Sequence, residues 1–153
     1  MYALLSERTQ DSYTRFLRHV TALIPNAAPR SVLTDFELAA INAFRGLFIN
    51  VVMVGCYFHF GQSLWRKLQE LGLSVRYIES EEFAGKVKKI MALAFIPVED
   101  VTEAFVALTG TDDYRELDRF TDFFEDNYIG RARRGRRAMP RYPIICGIST
   151  CVL

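Results

Sequence analysis

The fold class predicted by this sequence is α/β, with few strands and flanking helices, followed by an all-helical region and a basic arm. Three observations predict it. Short apolar or β-branched runs alternate with amphipathic helical stripes as far as Gly72. Beyond that point every periodic segment repeats at spacings of three and four. The chain then enters a stretch from Arg131 to Arg141 with six arginines in eleven residues and no apolar periodicity. The expected organisation is therefore 1–73 as the α/β core, 74–130 as the helical region and 131–153 as the Arg-rich arm and irregular tail, with the first boundary near Ser74 to Ser80.

The elements follow in order. Tyr2-Ala-Leu-Leu5 reads as a strand, and Ser6 as the N-cap of the helix after it. Tyr13, Phe16, Leu17, Val20, Leu23 and Ile24 recur at helical spacing until Pro25 and Pro29 interrupt them. Ser31 to Thr34 reads as a second strand running into Asp35, and Phe36, Ala40, Ala43, Phe44 and Leu47 form the next helical stripe. Val51 to Tyr57 is β-branched and aromatic, suited to a strand buried on both faces, with Gly55 just before Cys56. Phe83 to Phe95, Val101 to Leu108 and Tyr114 to Tyr128 read as three further helices, stopped by Pro97, Gly110 and Gly130. No repeat recurs at periods of 20 to 50 residues, which excludes a solenoid.

Composition narrows the function classes. Half of the 153 residues are hydrophobic, enough for a core of ordinary size. Net charge is +1, so attraction to a polyanion has to be local. The longest apolar stretch, Leu47 to Tyr57, is interrupted by Asn50 and falls short of a membrane span. Cys56, Cys146 and Cys151 are odd in number and lack framework spacing, and no signal peptide precedes them, so a reducing intracellular compartment is expected.

Three constellations could carry chemistry. Asp35 stands at the C-terminal end of a strand, with Glu37 two residues on. Two-metal phosphoryl transfer uses carboxylates at such positions, but needs several of them; the competing reading is that Asp35 N-caps the helix beginning near Phe36. Cys56-Tyr-Phe-His59 has the spacing of two zinc ligands, but His19, Cys146 and Cys151 offer no recognised second pair, so zinc is not expected. A half-buried cysteine beside a hydrogen-bonded histidine is the plainer reading. Arg131, Arg133, Arg134, Arg136, Arg137 and Arg141 could pair with the phosphates of duplex DNA, or serve as a nuclear-localisation signal or solvated linker. Phe120, Phe123, Phe124 and Tyr128 read as core at helical spacing.

In combination, Tyr2-Ala-Leu-Leu5, Thr34-Asp35-Phe36-Glu37 with Ala40-Ile41-Asn42-Ala43, and Gly55-Cys56-Tyr57-Phe58-His59 with Gln62-Ser63-Leu64-Trp65-Arg66-Lys67 resemble the MULE (Mutator-like element) transposase domain. Ala92 to Val98 and Phe123 to Arg131 are similar to the helical region of its animal members. The resemblance implies a ribonuclease H-like fold whose catalytic Asp, Asp and Glu bind Mg2+ or Mn2+ and cut and join DNA strands in the nucleus. Asp35 matches the second Asp of that set. Cys56 and His59 match the family's site-adjacent Cys-x-x-His motif, and residues 80–129 the insertion before the final Glu. Two departures stand out: Met1 precedes Tyr2 where the family has the strand bearing its first Asp, and Tyr142-Pro143-Ile144 runs into Ile145 to Leu153 where the final Glu would follow. That ending has the look of a frameshift or mis-spliced tail. The resemblance thus implies a transposase-derived fragment, inactive alone, with Asp35 a metal ligand only in a complete site. The leading alternatives are a repurposed nuclear DNA- or protein-binding module using the Arg131 to Arg141 arm, and a non-functional gene fragment. A short sheet with an exposed edge also implies association with another chain, such as a second copy.

Overall fold

The computed structural model of the chain describes residues 4–133 and 136–142. In order, these form α1 (Gln10–Leu23), β1 (Ser31–Thr34), α2 (Leu38–Leu47), β2 (Val52–Gly55), α3 (Tyr57–Glu70), α4 (Ser74–Glu79), α5 (Glu81–Ala92), α6 (Val98–Thr109), α7 (Asp118–Phe124) and a short hairpin, β3 (Ala132–Arg133) with β4 (Arg136–Arg137). The structure is mostly helical with one small parallel sheet. None of the described helices is long and apolar enough to cross a membrane.

β1 and β2 pair in parallel, Ser31 with Val52 through Thr34 with Gly55, and α2 makes the crossover. Register places Val32, Thr34, Met53 and Gly55 on one face and Ser31, Leu33, Val52 and Val54 on the other. Met53 is buried, whereas Leu33 and Val52 are 44% and 42% exposed. The second strand is therefore not buried on both faces as its composition predicts, because only one other described strand and one side of helical cover are present. It also ends at Gly55, and Cys56 caps α3.

The first helix starts later than expected. Thr9, not Ser6, is its N-cap, accepting a hydrogen bond from the Ser12 amide at 3.2 Å. Leu4 and Leu5 lie in no strand; Tyr2 and Ala3 lie outside the described residues. α1 packs along α2. The Tyr13 hydroxyl donates to the Glu37 carboxylate at 2.7 Å, which fixes α1 against the entry to α2.

A single buried cluster joins α3 to the helices that follow. Phe60, Leu64 and Leu68 recur every four residues on α3 and meet Phe83, Val87 and Ile90 of α5, Val101 and Phe105 of α6, and Leu117, Phe120, Phe124 and Tyr128. The rings interlock: Phe105 stacks on Phe124 with centroids 5.5 Å apart, and Phe60 meets Tyr128 edge-on at 5.0 Å. The stretch from Tyr114 to Tyr128 is not one helix. It runs as a 3-10 turn (Asp112–Leu117), then α7, then a π turn (Glu125–Ile129) closed by the Gly130 amide donating to the Glu125 carbonyl at 2.7 Å. The turn ends at Gly130 with φ +87°, where a Cβ would collide with the Ala138 carbonyl of the returning chain.

Tyr128 is buried, and its hydroxyl donates to Ser63 Oγ at 3.1 Å. Burial pushes its phenol above the ordinary tyrosine value, with the Ser63 bond acting the other way. The folded state therefore favours the protonated phenol. Its contribution to stability is intact below the unfolded value of about 10 and is lost as pH rises through the elevated folded value. In thermal melts from pH 8 to 11.5, Tyr128→Phe should flatten the alkaline fall in Tm; a fall as steep as in the wild type would remove Tyr128 as its source.

Candidate functional site

The carboxyl ends of parallel strands are where an open α/β sheet presents side chains to ligands. Here β1 and β2 end side by side, the Cys56 amide donating to the Thr34 carbonyl at 2.9 Å, so that Asp35 and Cys56 leave the sheet at neighbouring points. Asp35 is exposed. It does not cap α2: the N-cap is Glu37, whose side chain makes no cap bond because it is held by Tyr13. The capping reading of Asp35 is thereby removed.

The cause lies one residue on. Phe36 has φ +68°, a conformation costly for a residue with a bulky side chain. It turns the ring onto Gly55, where a Cβ would collide with it, and edge-on against Tyr128 at 5.8 Å and Tyr142 at 5.4 Å. Aromatic burial offsets the backbone cost, and the turn leaves the Asp35 carboxylate at the rim of a cleft of about 320 Å³.

The cleft wall is the polar face of α3. His59, Gln62, Ser63, Arg66, Lys67 and Glu70 recur at three and four and line the cleft, opposite the buried stripe of Phe60, Leu64 and Leu68. That pattern was available in the sequence, and a helical-wheel reading of residues 57–70 would have assigned these residues to one face. Phe123 and Tyr142 complete the wall. Lys67 is committed to Glu70 at 2.8 Å and lies over the Phe123 ring. His59 Nδ1 is buried without a hydrogen-bond partner, and Phe58 meets the imidazole edge-on at 5.4 Å.

The structure thus brings Asp35 and His59 to one cleft. Cys56 sits half-buried at the start of α3, outside the cleft lining. Among the described residues no three of His, Cys, Asp and Glu converge as metal ligands. A two-metal pair needs several hard oxygen donors, and the described lining offers Asp35 one other carboxylate, Glu70, already paired with Lys67, beside an imidazole and a guanidinium. This donor set by itself does not fit two divalent cations.

The basic segment is described from Arg131 to Tyr142 except for residues 134 and 135. In its described part it folds back as the β3–β4 hairpin, with the Tyr142 amide donating to the Asn127 carbonyl at 2.8 Å. Arg131 grips Asp126 through two bonds of 2.8 and 2.9 Å and reaches Asp122 at 3.2 Å. Arg137 bonds Glu125 at 2.7 Å and the Gly130 carbonyl at 2.6 Å. Arg136 is exposed, and Arg141 lies over Tyr142. Arg134 and the side chain of Arg133 lie outside the described residues.

Residues 1–63 match the family model of the MULE transposase domain. The matched stretch contains Asp35, Cys56, His59, Gln62 and Ser63, and stops within α3. The similarities drawn to Ala92 to Val98 and to Phe123 to Arg131 fall outside it. No curated protein and no solved structure matches the chain at a significant level.

The packing of Phe36 on Gly55 makes a test of the site's scaffold. Gly55→Ala should displace the ring and cost about 2 kcal/mol in urea unfolding, within the range for overpacking a filled site. An unchanged midpoint would mean that the ring does not depend on this contact.

Proposed function

We propose that the chain is a transposase-derived domain whose β1–α2–β2 unit is part of a ribonuclease H-like core acting on DNA. The observation that carries this reading is Asp35: it lies within the stretch that matches the MULE transposase domain, stands at the carboxyl end of a parallel strand, and opens onto a cleft instead of capping a helix. In this reading Asp35 is the second acidic residue of the metal-binding set, and the metal, Mg2+ or Mn2+, would polarise the scissile phosphate in a complete site. His59 and Arg66 line the same cleft, and Arg66 supplies a cation for phosphate oxygens. Nuclear location and duplex DNA as partner belong to the same proposal.

Because the described lining of the cleft gives Asp35 only one companion carboxylate, Glu70, which is paired with Lys67, the 153-residue chain by itself neither cleaves nor joins strands. Incubated with supercoiled plasmid and Mg2+ or Mn2+, it should nick no faster than its Asp35→Asn variant. Metal-dependent nicking that this substitution abolishes would overturn the inactivity and supply the missing ligands by implication.

The sheet supports a second part of the proposal, association along its open face or edge. Parallel sheets are ordinarily covered on both faces, and here Leu33 and Val52 remain open to solvent, beside strand edges that no other described strand pairs. Sedimentation velocity from 1 to 200 μM should show growth beyond the 17.6 kDa monomer. A monomer throughout that range, unfolding in one cooperative transition, would end this part of the proposal.

A further inference from the structure

The arginine-rich segment and the helix before it have complementary charge at matching positions. Asp122, Glu125 and Asp126 fall at i, i+3 and i+4, one face of α7 and the π turn. Across from them, Arg131 engages Asp126 in a two-pronged pair with Asp122 alongside, and Arg137 engages Glu125. These carboxylates occupy the same guanidinium edges that would face phosphate oxygens. The two sites differ in depth. The Arg137 and Glu125 side chains are 25% and 17% exposed, while Arg131 and Asp126 are 35% and 52% exposed.

We infer that the described arginines at the β3–β4 hairpin, Arg131, Arg136 and Arg137, form a surface for a nucleic-acid phosphate backbone that the chain holds closed with its own carboxylates: Asp122, Glu125 and Asp126 stand where phosphates bind, and a duplex must displace them. The inference rests on DNA being the partner and adds how access is controlled. The exchange makes and breaks ion pairs only. Arg136, exposed and without an ion pair among the described residues, offers the first contact, and the outer Arg131 pair opens before the deeper Arg137 pair. Part of the counterion release that normally drives such binding is lost, because each freed carboxylate gathers cations in turn.

The test is fluorescence anisotropy of the full chain with a labelled 20-base-pair duplex of arbitrary sequence, over a range of salt. The triple variant Asp122→Asn, Glu125→Gln, Asp126→Asn should bind about tenfold more tightly than the wild type. Its log affinity should also fall more steeply with log salt, by about two units for two released arginines. A control removing the same charge elsewhere, at the exposed Glu99, Glu103 and Asp113 (to Gln, Gln and Asn), should gain much less. Adding Arg131→Gln and Arg137→Gln to the triple variant should abolish its gain. Circular dichroism checks that the helices persist, and the milder Asp126→Asn alone should give an intermediate gain. A triple variant no tighter than the control, or a gain that survives loss of the two arginines, overturns the closed-surface inference while leaving DNA as partner. Absence of duplex binding in every variant overturns both.

Discussion

Phe36 sits where the three parts of this molecule meet, and its ring determines how they fit. Gly55 supplies the flat patch of sheet beneath it, Tyr128 approaches from the π turn and Tyr142 from the segment returning after the hairpin. A two-stranded sheet and one crossover helix do not make a self-sufficient core. The sheet acquires its tertiary anchoring from this aromatic contact and from α3, whose first residue follows β2 directly after Cys56 and whose other face enters the helical cluster. The left-handed backbone at Phe36 is the local cost of the arrangement, and it falls one residue from Asp35.

That placement explains how far the site could be read from sequence. Helical periodicity located α2, α5 and α6, since each has an apolar stripe that a single buried face satisfies, whereas α3 went unread. Asp35 at a strand end was equally visible. Its freedom from capping was not, because the turn that moves the helix start to Leu38 depends on Tyr128 and Tyr142, far along the chain. Choosing Thr9 over Ser6 as the first cap is a different kind of failure. Both carry the required hydroxyl, and the outcome turns on which one lies next to the buried Ser12.

The end of the helical region shows the same division between local and long-range causes. Phe120, Phe124 and Tyr128 repeat every four residues and are buried together, as their spacing predicts. The widening into a π turn at Glu125 is not encoded in that spacing. It lets the Gly130 amide reach the Glu125 carbonyl, and the reversal at Gly130 brings Ala138 against the glycine and Arg137 onto Glu125. Thus Gly130 stops the helix, as its position implies, and also admits the returning backbone, which only the folded chain reveals.

Electrostatics completes the connection. A net charge of +1 conceals two unlike neighbourhoods. In the cleft, Asp35 meets His59 and Arg66 on α3 beside the paired Lys67 and Glu70; at the hairpin, arginines are matched by carboxylates on α7 and the π turn. Pairs as open as Arg131 with Asp126 contribute little net stability, since water and salt compete for both partners. The Arg137 pair is more sheltered and shares its guanidinium with the Gly130 carbonyl. The hairpin is therefore tethered firmly at Gly130 and loosely at its outer edge. Tyr142, two steps beyond Pro140, lines the Asp35 cleft and touches Phe36, so that the position of the charged hairpin and the shape of that cleft are parts of one mechanical unit.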